Sequence, residues 1–372
     1  MKKLTLQEKQ KTADALLHRI NELHTPGERV RIMEVCGTHT VSIFREGLRQ
    51  LLPAGIELVS GPGCPVCVTD QVYMDKALEY AKRDDVIIAT FGDMLKVPGS
   101  YSSLSEAQTQ GAHIHIIYTP LEVLELSKQN PDKHIVFLAI GFETTIAVIG
   151  ATVKAVAQAD VKNVFFLVSH KLVPPALRAL LDRHIGQIDG FILPGHVSVI
   201  IGEKPYEFLP NKYKIPSCIA GFDGIEILSA IVNILKQRQS GQFKVGNTYH
   251  SVVMKEGNPV AVCVMNEVYD VCDDTWRGIG VIPSSGLTLN EAYSFLDVEK
   301  VLPIQLEKPS MDPKGCQCGS VLQGLIKPNE CPLFGKACTP DHAVGACMVS
   351  VEGSCAAWYK YGFSSGGLAW ED

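Results

Sequence analysis

"ERVRIMEVCGTHT" (residues 28–40) decides the fold. It reads as a short buried strand that runs into Cys36 and Gly37, with a helix following from about Val41. The pattern repeats at once. "GIELVSGPGCPVC" (55–67) is an apolar strand and a Gly/Pro turn, followed by the helical stretch "QVYMDKALEYAKR" (71–83). "DVIIATFGD" (85–93) and "AHIHIIYTP" (112–120) are β-branched runs closed by turn residues. Strands alternating with helical segments build βαβ units and a parallel sheet.

The pattern restarts after "YTPLEVLELSKQNPDK" (118–133). "KHIVFLAIGFETT" (133–145) leads into the helical "IAVIGATVKAVAQA" (146–159), and "NVFFLVSHKLVPP" (163–175) precedes "ALRALLDR" (176–183). "IDGFILPGHVSVIIG" (188–202) and "IPSCIAGFDG" (215–224) supply further strand-to-loop junctions. From about Gly241 the texture changes: "FKVGNTYHSVVMKEGNPVAVCVMNEVYDV" (243–271) alternates like antiparallel strands, and the rest is loop-rich. The expected division is an α/β domain over 1–118, a second over 119–240 and a Cys-rich segment over 241–372.

Composition narrows the function. At 372 residues the chain exceeds one ordinary core. A net charge of -6 without a Lys/Arg cluster argues against nucleic-acid binding. The N-terminal stretch is charged and helical, unlike a signal peptide, and no apolar run is long enough to span a bilayer. A cytosolic protein with no membrane partner is expected. Twelve cysteines are many for a reducing compartment, which favours metal or redox chemistry over structural disulfides.

Polar and thiol side chains gather where strands end: Cys36 with His39, Cys64 with Cys67, Glu143 with Thr144 and Thr145, then His170 and His196. Sites in parallel sheets form beyond the carboxyl ends of strands. Each residue alone is ordinary, since a single Cys packs as a small hydrophobe and the two threonines can cap a helix starting at Ile146. Their shared placement favours a functional cleft. "CPVC" (64–67) puts two sulfurs within reach of one metal or of each other, and the residues leave open which. Six more cysteines, Cys316, Cys318, Cys331, Cys338, Cys347 and Cys355, have one, twelve, six, eight and seven residues between them. Cysteine-only ligation of a [4Fe–4S] cluster is one use, and a four-cysteine zinc site the other. Phosphate-loop, dinucleotide and G-x-S-x-G hydrolase motifs do not occur.

"EVCGTHT", "SGPGCPVCVT", "AIGFETT", "LPGHVSVIIG", "CPLFGKACTP" and "SCAAWYKY", in that order along essentially the whole chain, closely resemble the HypD family of [NiFe]-hydrogenase maturation factors. The resemblance implies two Rossmann-like α/β domains facing each other across a cleft, plus an iron–sulfur domain. It implies a cytosolic scaffold on which the Fe(CN)2CO group is assembled. The partners implied are the small chaperone HypC and the cyanide donor HypE, itself supplied by HypF. On that reading Cys36 is the iron ligand, and Cys64 and Cys67 either share the iron or form a redox pair facing it. His39, Glu143, Thr144, His170 and His196 support the cleft. Likeness to the C-x-C elements of ferredoxin–thioredoxin reductases makes Cys316, Cys331, Cys338 and Cys355 the cluster ligands and Cys318 and Cys347 the neighbouring redox thiols. The alternative function is a cluster-dependent dithiol oxidoreductase of that reductase type.

Overall fold

The computed structural model describes residues 5–184 and 186–362. Two sheets organise it. The first has strand order β2-β1-β7-β8-β9, built from β1 (Val30–Glu34), β2 (Ile56–Ser60), β7 (Gly190–Pro194), β8 (Ser217–Ala220) and β9 (Val245–Asn247). Every pairing in it is parallel. The second has order β10-β11-β6-β5-β3-β4, from β3 (Val86–Thr90), β4 (Ile114–Ile116), β5 (His134–Gly141), β6 (Val164–Lys171), β10 (Tyr269–Trp276) and β11 (Gly280–Leu289). Its β6-β5-β3-β4 part is parallel, and β10–β11 add an antiparallel edge. Continuous burial along β3 and β7, and along β5 from Ile135, explains why these strands read as apolar runs.

The α/β class and the two parallel-rich sheets match the expectation from sequence. The sheets nevertheless cut across the expected segments. β3 and β4, within 1–118, pair with β5, whereas β7 and β8, within 119–240, join β1. β9 extends the first sheet and β10–β11 extend the second, so residues 241–289 are divided between the two. Apolar runs say that a strand is buried, but not which strand lies beside it. A second difference is local. Pro259–Val268 is a helix, with Asn258 accepting from the amides of Val260 and Ala261 and Pro259 at the first helical position.

Three buried clusters lie among the described residues. One lies under Leu6–Leu23 and Gly224–Ser240 on the outer face of the first sheet. Another lies under Glu143–Gln158 on the outer face of the second. The largest holds Met33, Phe191 and Leu193 of the first sheet with Val136, Leu138 and Leu167 of the second, so packed side chains join the two. Cys64, Cys67, Cys318, Cys338, Cys347 and Cys355 belong to this central cluster. Among the described residues no helix is long and apolar enough to cross a membrane.

Candidate functional site

β1, β2, β7 and β8 run parallel, so the loops after their carboxyl ends lie side by side. Cys36 follows β1 and is the N-cap of the helix Gly37–Arg45. The next loop packs onto it main chain to main chain. The Gly37 N–H donates to the Gly63 carbonyl at 3.2 Å, and a Cβ on Gly63 would lie 2.4 Å from the Cys36 nitrogen. Glycine at 63 is therefore a requirement of close approach. Cys64 then caps the single turn Pro65–Val68, accepting from the Cys67 N–H at 3.2 Å. Cys64 and Cys67 are joined as a disulfide, with Cα atoms 5.2 Å apart. In that form the pair offers no thiolate to iron, and Cys36 is the free thiol of the site.

The Cys36 thiol is buried, which pushes its pKa up to about 11, and the Glu352 carboxylate adds to the rise. Amides of His39 and Thr38, with the Thr38 hydroxyl, oppose it by favouring the thiolate. The His39 imidazole takes no part in this. It is turned away, with Nε2 2.9 Å from the Gly221 carbonyl, and burial lowers its pKa to about 4. At neutral pH Nε2 carries the proton and donates, leaving Nδ1 buried without a partner. Its ring packs 4.9 Å from that of Phe222, and His196, exposed just after β7, packs 4.0 Å from the same Phe222 ring.

Glu143 opens the helix after β5 and is buried. Its Oε1 accepts from the Val173 N–H at 3.0 Å, Oε2 has no partner, and burial raises its pKa to about 7. Burial pushes the pKa of the Tyr206 hydroxyl up, and the Glu143 and Cys36 charges add to the rise. Thr144 lies half-buried on the first turn of the same helix. The helix begins at Glu143 with Phe142 as N-cap, so the threonines sit inside it and do not cap it. His170 is placed elsewhere. It faces the outer core of the second sheet, its ring 4.9 Å from Tyr269, with both ring nitrogens unpartnered and its pKa lowered to about 3 by burial. Alternation along β6 puts Leu167 on the inner face and His170 on the other.

The tail closes over the cysteine loops. The Thr38 hydroxyl donates to Glu352 at 2.8 Å, and the Glu352 main chain fills the space where a Gly37 Cβ would be. The Cys67 sulfur lies 3.9 Å from the Ala346 carbonyl, beside Cys347. Cys316, Cys318, Cys331, Cys338 and Cys355 line one small cavity with Leu333, Phe334 and Met348. Cys316 donates to the Cys318 sulfur at 3.2 Å, and the neighbouring Cys318 and Cys355 thiols, together with burial, push the Cys347 thiol up. Hydrogen bonds from Cys318 and Cys347 hold the Cys355 thiol below its ordinary range. Five thiols around one apolar cavity are a donor set that fits an iron–sulfur cluster. Among the described residues no three His, Cys, Asp or Glu side chains are grouped as ligands of a single metal ion.

A family model described as HypD, hydrogenase formation hypA family, matches residues 11–362. The chain belongs to the HypD family. It is 42% identical over 348 residues to the hydrogenase maturation factor HypD of Escherichia coli, covering 93% of each chain. It is 42% identical over 342 residues to that of Rhodobacter capsulatus, covering 91% of each. A hydrogenase expression/formation protein HupD of Azotobacter chroococcum shares 41% over 358 residues, covering 94% of each. Sequence reading missed Phe222, Tyr206 and Glu352, because their role comes from packing against loops distant in the chain and no local motif marks it.

Proposed function

We propose that this hydrogenase maturation factor is the scaffold on which the Fe(CN)2CO group is assembled, with Cys36 as the iron ligand. The observation that carries the reading is the contact of the Cys36 and Gly63–Cys67 loops, main chain to main chain, at adjacent strand ends. It sets one free thiol beside one disulfide. Iron is the cargo. A soft thiolate suits a low-spin iron bearing cyanide and CO, and binding it releases the proton that burial otherwise holds on Cys36. One thiolate leaves coordination to be completed by HypC and by the incoming ligands, cyanide arriving from HypE.

Opening the Cys64–Cys67 bond takes up two electrons and two protons and yields two thiols, so this pair is the redox element of the site. Cys316, Cys331, Cys338 and Cys355, all lining the tail cavity, would hold a [4Fe–4S] cluster, with Cys318 and Cys347 beside them. The bound cluster supplies one-electron redox chemistry. Glu143 and His196 orient what enters near Cys36 by hydrogen bonding.

The disulfide also favours a second reading, a dithiol oxidoreductase of the ferredoxin–thioredoxin reductase type. Infrared spectra of the protein co-purified with HypC separate the two. The scaffold reading expects cyanide and CO stretching bands, lost in Cys36→Ala together with bound iron and maturation. Bands absent from the wild-type complex, or full maturation by Cys36→Ala, overturn it. Cys64→Ala that keeps the bands but blocks maturation assigns the pair to redox work.

A further inference from the structure

Arg277 is 6% exposed and sits between the disulfide turn and the tail cysteines. Its N–H donates to the Val68 carbonyl at 2.8 Å and its Nε to the Thr69 carbonyl at 2.7 Å, immediately after Cys67. On its other side Gly278 touches Gly319 main chain to main chain, and Gln323 donates to the Gly278 carbonyl at 2.7 Å. The Arg277–Gly278 main chain thus bridges both cysteine-bearing segments, and the guanidinium is held to the first of them through Nε. Its two terminal nitrogens, Nη1 and Nη2, are buried with no hydrogen-bond partner. No carboxylate lies within ion-pair distance of Arg277 among the described residues. The nearby Asp274 is engaged by the buried Lys171, and Asp70 accepts from the Tyr73 N–H. Burying a guanidinium with four of its five N–H donors idle is costly unless an anion faces them.

We propose that Arg277 is the counter-charge of the metal–sulfur centre in the tail cavity, a positioning residue that stabilises its reduced form. This rests on the cluster reading above. A cluster held by four thiolates is net negative, and one electron from an external one-electron donor makes it more so, with no bond formed or broken. Fixed positive charge and N–H donors near the sulfurs therefore raise its potential.

The test is an EPR-monitored dithionite titration of anaerobic wild type, Arg277→Gln and Arg277→Lys, with iron and acid-labile sulfide measured on each. Arg277→Gln should keep the cluster and lower the reduced-to-oxidised ratio at fixed potential by tenfold or more, about 59 mV for one electron. Arg277→Lys, which keeps the charge, should move it less than half as far. Loss of iron from Arg277→Gln alone, with wild-type circular dichroism, also shows the charge to be required. A wild-type potential in Arg277→Gln, or equal change in both variants, overturns the proposal. Wild-type protein without iron and sulfide overturns the underlying cluster reading and takes the proposal with it.

Discussion

Adding one methyl group at Gly63 should separate the two cysteine loops. The position lies outside the left-handed region, so alanine meets no conformational strain there, and the whole effect is steric. The new Cβ would stand 2.4 Å from the Cys36 nitrogen and 2.6 Å from its Cα, whereas ordinary contact begins at 3.4 Å. The loops must part by about 1 Å, because both obstructing atoms are main chain and neither can rotate away. Overpacking of this kind costs about 3 kcal/mol. It also weakens the Gly37 N–H bond to Gly63. A displacement of about 1 Å at a reacting centre slows it roughly 100-fold. Urea unfolding measures the first effect and the hydrogenase maturation rate in a complemented deletion strain the second. Gly92→Ala is the control, since its Cβ would meet only one side-chain carbon, at 3.9 Å. Gly63→Ala matching that control in stability and maturing hydrogenase at the wild-type rate would refute the argument.

Glu34 is buried, accepts from the hydroxyls of Ser60 and Thr40, and has its pKa raised from 4.5 to about 7, chiefly by burial. The unfolded chain therefore loses this proton first as pH rises, and the stabilisation present below pH 4.5 is lost towards pH 7, about 3 kcal/mol in all. Glu34→Gln should remove that slope in denaturation curves taken across the window, and an unchanged slope would count against it. His39, lowered to about 4, runs the other way: its contribution is lost on acidification from pH 6.5, and His39→Gln should flatten the acid limb. Thr38→Val removes the 2.8 Å bond to Glu352 and should cost about 1–2 kcal/mol while speeding proteolysis near residue 352; an unaltered cleavage rate would exclude that anchoring role. Cys263 is exposed whereas Cys36 and Cys347 are buried, so brief native alkylation read by mass spectrometry should label Cys263 first.

The sequence by itself determined the α/β class, the strand-end placement of Cys36, Cys64, Cys67, Glu143 and His196, and the cysteine-rich character of the tail. These are local properties. An apolar run bounded by turn residues specifies a buried strand and the junction that follows it, and cysteine spacing records how densely thiols can gather. Which strands pair was not local: β7, within 119–240, crosses back beside β1, within 1–118. Orientation was not local either. His170 and Leu167 stand on the same strand, and only the side on which the core forms sends the histidine away from the site. The same holds for the His39 ring, drawn to the Gly221 carbonyl, and for Arg277, whose Nε reaches the Thr69 carbonyl. Their partners come from segments tens to hundreds of residues away, and long-range packing alone brings such groups together.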